Sequence, residues 1–115
     1  GRRAVVIAVV DGPDCEIDLP SDGDVSVTWL HREGAADIEA LLPDAVAAHA
    51  FPDGEFDVFV HGEAVEVRSV RKHLLAERGV SKEGASISPY WRRTFTDEAW
   101  RKVKRNWIAD QANDV

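Results

Sequence analysis

Apolar positions follow two alternating periods along this chain. Residues 4–10 (AVVIAVV) are a continuous apolar run rich in β-branched side chains, which predicts a strand buried on both faces. Asp11-Gly12-Pro13-Asp14 ends the run, and the acidic stretch from Cys15 to Asp24 reads as loop. A second strand is predicted over Val25–Leu30. Residues 35–50 have helical composition, but Pro43 is expected to interrupt them or to open a second short helix. Pro52-Asp53-Gly54 predicts a turn into a third strand, Phe56–Val60.

Gly62 is expected to precede a helix over about residues 63–78. Its inner stripe would be Val67, Val70, Leu74 and Leu75, and Gly79 would end it. A fourth strand is predicted over residues 85–88. Thr96 then caps a last helix with Asp97 and Glu98 in its first turn and Trp100, Val103, Trp107 and Ile108 along one side. Strands alternating with helices predict an α/β fold: a parallel sheet of about four strands flanked by helices, in one domain over residues 1–115.

Composition narrows the function classes. A chain of 115 residues with 44% hydrophobic content and four Trp can bury a modest core without disulfides or metals. The single cysteine, Cys15, has no internal partner, which points to a cytoplasmic protein; among acidic neighbours it is not expected to be a nucleophile. No apolar run reaches membrane-spanning length, and the Arg-led start lacks the apolar stretch of a signal peptide. His31, His49, His61 and His73 are dispersed without metal-ligand spacing, so no metal site is expected.

The net charge of −7 is unevenly divided. Residues 1–60 hold three Lys/Arg against thirteen Asp/Glu, and residues 61–115 hold eleven against eight. An acidic chain argues against a nucleic-acid partner, because neutralising phosphates drives that affinity. The basic second half suits one small anionic ligand.

Parallel α/β sheets bind ligands beyond the carboxyl ends of their strands. Three such ends carry candidate chemistry. At the first, Arg32 offers a bidentate contact to a phosphate. At the second, His61-Gly62-Glu63 opens a helix, where glycine permits close approach and the helix N-terminus favours anions. At the third, Tyr90 and Trp91 offer rings for stacking, and Arg92 and Arg93 offer cations.

Three segments in order, residues 27–33 (VTWLHRE), 58–79 (VFVHGEAVEVRSVRKHLLAERG) and 88–107 (SPYWRRTFTDEAWRKVKRNW), resemble the C-terminal half of siderophore-interacting proteins, the flavin-dependent ferric-siderophore reductases. The resemblance spans nearly all of the chain, and its most specific part is YWRR with the Trp/Lys/Arg helix that follows. It implies a ferredoxin-reductase-like NAD(P)H-binding domain, normally joined to an N-terminal FAD-binding barrel. The implied chemistry is hydride transfer from NADPH or NADH to FAD, then one-electron reduction of a ferric siderophore. The resemblance assigns Arg32, His61, Gly62, Glu63, Tyr90 and Trp91 to cofactor binding, with Arg92 and Arg93 drawing in the anionic siderophore.

The chain departs from the family in two ways. The glycines that usually flank YWRR are replaced by Pro89 and Thr94. The strand–helix unit with a Gly-Asp-Glu-Thr-like turn that opens the family's domain is not found, nor is the FAD barrel. The isolated 115 residues are therefore expected to be inactive, to bind dinucleotide weakly and to carry no FAD. The gap in the sheet would be closed by direct pairing of the first and third strands or by another chain, and an exposed apolar edge favours a homodimer. The rival reading is a non-catalytic interaction or regulatory module that docks through the basic last helix.

Overall fold

The computed structural model describes residues 3–18, 23–51 and 56–114. They fall into two compact units, residues 1–48 and 49–115. The turn expected at Pro52-Asp53-Gly54 lies outside the described residues.

The first unit contains β1 (Arg3–Val10), a one-turn 3-10 helix at Pro13–Cys15, β2 (Asp24–His31) and α1 (Ile38–Ala48). The two strands pair in parallel from Arg3 opposite Asp24 to Val10 opposite His31. The amides of Arg32 and Glu33, each donating at 2.9 Å to the carbonyls of Val10 and Asp11, carry the ladder past both strand ends. Helix α1 packs on β1. The strand expected to be buried on both faces is only partly covered, and Val5 is 40% exposed.

Pro43 does not break α1. It is an interior residue of one helix that runs from Ile38 to Ala48, which corrects the expectation of an interruption. A proline there removes the hydrogen bond to the Glu39 carbonyl in the first turn. The Leu41, Leu42, Ala45, Ala47 and Ala48 neighbours are strong helix formers, and Val46 anchors the helix in the core at 9% exposure.

The second unit is a βαβ unit plus a helix: β3 (Val58–Glu63), α2 (Ala64–Ala76), β4 (Ala85–Trp91) and α3 (Asp97–Gln111). Strand β3 starts two residues later than predicted and runs on through His61-Gly62-Glu63. Strand β4 runs past Ser88 through Pro89, Tyr90 and Trp91. It pairs with β3 in parallel from Val58 opposite Ala85 to Gly62 opposite Pro89, after which the register slips so that Glu63 faces Trp91. Tyr90 is the extra residue of this bulge.

Residues of α2 supply most of the core. Ala64, Val67, Val70 and Leu74 are at most 2% exposed, and Pro89 is fully buried. Burying each large aliphatic side chain stabilises the fold by roughly 1.5–3 kcal/mol. Gly79, at φ +66°, turns the chain after α2 as expected. Thr96 caps α3, its Oγ1 accepting the Ala99 amide at 3.1 Å. Trp100 is buried and meets Trp107 edge to face.

The α/β class and the parallel pairing are as the sequence predicts. The four strands form two parallel pairs, β1 with β2 and β3 with β4, and the described residues contain no pairing of β1 with β3. No helix among the described residues is long and apolar enough to cross a membrane.

Candidate functional site

Strand alternation builds a ledge on the open face of β3–β4. Phe59 and His61 are two residues apart and therefore share that face, opposite Ser86 and Ser88. The His61 ring stacks on Phe59, with centroids 3.7 Å apart and planes at 8°. Tyr90 meets the same imidazole edge-on at 4.5 Å. His61 Nε2 lies 3.1 Å from the Ser86 hydroxyl. Lys104 of α3 brings its ammonium to 5.8 Å from the Tyr90 ring centre. Phe59 is 74% exposed and Tyr90 57% exposed, so the rings are open to a flat ligand.

Behind the ledge lies a buried acidic pair. Glu63, at the end of β3, caps α2: its Oε1 accepts the amides of Val65 at 2.9 Å and Glu66 at 3.0 Å. Its Oε2 accepts the Arg93 amide at 3.1 Å. The Arg93 guanidinium donates to Glu66 Oε2 at 3.3 Å and approaches Glu63 at 3.7 Å. Both carboxylate side chains are at most 3% exposed.

This arrangement bears on two expectations. Arg93 was assigned to the siderophore, yet its guanidinium is engaged with Glu63 and Glu66. The N-terminus of α2 was expected to hold an anion. Its Val65 and Glu66 amides are already taken by Glu63, and the Arg93 guanidinium there is paired with the Glu63 and Glu66 carboxylates, which weakens the pull of this helix end on a phosphate.

Arg92 lies over two aromatic rings, its guanidinium carbon 4.2 Å from the Phe95 ring centre and 4.5 Å from that of Trp107. Trp91 is 37% exposed, with the Arg93 guanidinium 5.6 Å from its ring centre. The corner continues into Thr94, which adopts φ +71°. A β-branched residue is rare in that region. Pro89, one residue past the predicted end of the fourth strand, is a buried strand residue facing Gly62.

The second unit thus brings His61, Gly62, Glu63, Tyr90, Trp91 and Arg93 together. In the first unit Arg32 extends from β2 to Asp11, with Nη1 3.0 Å from Oδ1. His31 pairs with Glu16, and the Glu33 carboxylate lies against Gly12, where an added Cβ would fall 2.5 Å from Oε2. A phosphate approaching Arg32 meets acidic competitors.

Sequence reasoning missed Phe59, Ser86 and Lys104. The two-residue spacing of Phe59 and His61 was the available signal.

Residues 1–94 match the siderophore-interacting protein family. Uncharacterized proteins of Mycobacterium tuberculosis and Mycobacterium bovis are 41% identical over 122 residues, covering 97% of this chain and 42% of theirs. The chain therefore spans less than half the length of these relatives. The siderophore-interacting protein SipS from Aeromonas hydrophila superposes with a TM-score of 0.78 at 20% identity, covering 93% of this chain and 42% of that one. A siderophore utilization protein from T. fusca gives 0.68 at 27% identity, over 83% and 46%.

Proposed function

Since this chain belongs to the siderophore-interacting protein family, we propose that it is the NAD(P)H-side part of a ferric-siderophore reductase acting in the cytoplasm. In this reading a longer protein joins it to an FAD-binding barrel. The observation that carries the reading is the family match, which takes in both halves of the β3–β4 ledge.

Siderophores hold Fe(III) through hard, anionic oxygen ligands. One added electron lowers the charge of the ion, its ligands loosen, and Fe(II) is released. A hydride carries two electrons, so one NAD(P)H serves two ferric ions. FAD, when bound, supplies the conversion from a two-electron donor to one-electron acceptors. The chain's own contribution is a seat: Phe59, His61 and Tyr90 hold a flat ring by stacking, and the Lys104 ammonium attracts negative charge to it. Phosphates bind elsewhere than the capped end of α2. A phosphate at Arg32 would share the guanidinium with Asp11.

The test is anaerobic incubation of the full-length gene product with FAD, a ferric siderophore and either NADH or NADPH, with Fe(II) trapped by a chromogenic chelator. Ferrous iron appearing at two per nucleotide supports the reading. No Fe(II) with either nucleotide refutes it.

A further inference from the structure

Glu63 stands in the middle of the candidate site, yet neither of its oxygens is available to a ligand. Oε1 takes two amides at 2.9 and 3.0 Å, and Oε2 takes the Arg93 amide at 3.1 Å. The Arg93 guanidinium lies alongside, and the side chain is 1% exposed. A carboxylate has about four acceptor positions. Three amides fill three of them, the Arg93 guanidinium stands 3.7 Å away as an ion pair, and burial of the side chain closes the fourth to a ribose or a ring amide.

The partners are distributed in a telling way. Val65 and Glu66 belong to α2, whereas Arg93 follows β4. One carboxylate therefore ties the start of the helix to the chain just beyond the bulged Tyr90. Glu66 adds a second hold on Arg93 at 3.3 Å. That guanidinium sits 5.6 Å from the Trp91 ring centre, and the next residue, Thr94, is kept at φ +71°. Strained backbone persists where its surroundings over-determine it.

We infer that Glu63 is a positioning residue for the Tyr90–Arg93 corner, acting through Arg93, and that it is not a cofactor ligand. The importance of the corner rests on the function proposed above, but the coupling itself is a property of this chain. Glutamine at position 63 separates the two jobs. Its single amide oxygen still caps α2, while its NH2 meets the Arg93 amide donor to donor. Aspartate is one methylene shorter and cannot span both partners.

The experiment is amide hydrogen exchange by NMR on the 115-residue chain, comparing wild type with Glu63→Gln. Fluorine NMR of 5-fluorotryptophan-labelled protein serves as the second readout. Loss of a bond to a charged acceptor speeds exchange of the Arg93 amide by about 10-fold or more. The Trp91 resonance shifts, while the Val65 and Glu66 amides stay protected and Trp29 stays in place. The inference is overturned if Arg93 and Trp91 do not change, or if only the α2 amides exchange faster, since that is helix capping alone. Should Glu63→Gln unfold the chain, Glu63→Asp, too short to span both partners, replaces it: a shifted Trp91 resonance with the Val65 and Glu66 amides still protected supports the inference, and an unmoved one overturns it. No redox activity enters these readouts, so failure of the reductase reading leaves them interpretable.

Discussion

The imidazole of His61 lies flat on the ring of Phe59, 3.7 Å away and 8° from parallel, although Phe59 is 74% exposed. An exposed, pre-stacked pair exists here because α2 covers only the other face of β3–β4. Residues 58 and 60 point toward the helix and residues 59 and 61 point away. The pair is partly apolar, and the Tyr90 ring beside it carries the Lys104 ammonium, which suits a planar, electron-poor or anionic ring.

Two substitutions separate this ledge from the core. Phe59→Ala changes stability by less than about 1 kcal/mol, as expected for a side chain left mostly in water. Tyr90→Ala in the full-length product weakens binding of the stacked ring by about 5-fold, the equivalent of roughly 1 kcal/mol of aromatic contact. Thermal unfolding checks the first and nucleotide and flavin titration the second.

Arg93→Ala should behave in the opposite way. It leaves the Glu63 and Glu66 carboxylates buried without their guanidinium, at a cost of roughly 3 kcal/mol. Urea denaturation of the isolated chain measures this. A loss below about 1 kcal/mol would mean that solvent reaches the pair.

Thr94→Gly is expected to stabilise the chain. Relief of an αL conformation at a β-branched residue gains about 1–2 kcal/mol, and the greater freedom of glycine in the unfolded chain offsets about 0.5–1 of it. A net gain on the order of 0.5–1 kcal/mol in urea unfolding is the expected result. A loss would show that the threonine side chain makes a compensating contact.

The end of α3 has its own pH dependence. Hydrogen bonding to Arg68 holds the Asp114 carboxyl below its ordinary value of 3.8. Arg68 Nε donates to it at 2.8 Å and Nη2 reaches Asp110 at 3.1 Å. Because the folded pKa is depressed, the stabilisation is complete above the ordinary carboxylate range and is lost as pH falls through the lowered value. Protection of the amides at residues 110–113, measured against their intrinsic exchange at each pH, should therefore fall only below about pH 4. Asp114→Asn should remove that step.

Most elements were legible because their signals were local. The apolar run of β1, the stripe of α2 and the Thr96 cap each lie within one segment. What escaped was set by contacts between segments. The predicted fourth strand stops at residue 88, before Pro89, yet in a two-stranded sheet every strand is an edge, and there proline is tolerated. Pro43 argued for a break, but five strong helix formers and the burial of Val46 outweigh one missing hydrogen bond. The family resemblance assigns Glu63 to cofactor binding. Its place immediately before Ala64-Val65-Glu66 is equally that of a helix cap, and the tie to Arg93 thirty residues away has no sequence signature. The engagement of Arg92 and Arg93 was invisible for the same reason.

The most direct test of the electron-transfer account is the visible absorbance of the full-length gene product reconstituted with FAD under anaerobic conditions. The account predicts that the flavin band bleaches on addition of NADH or NADPH and returns when a ferric siderophore is added. A band that never bleaches with either nucleotide, or one that bleaches and does not return with the siderophore, would contradict it.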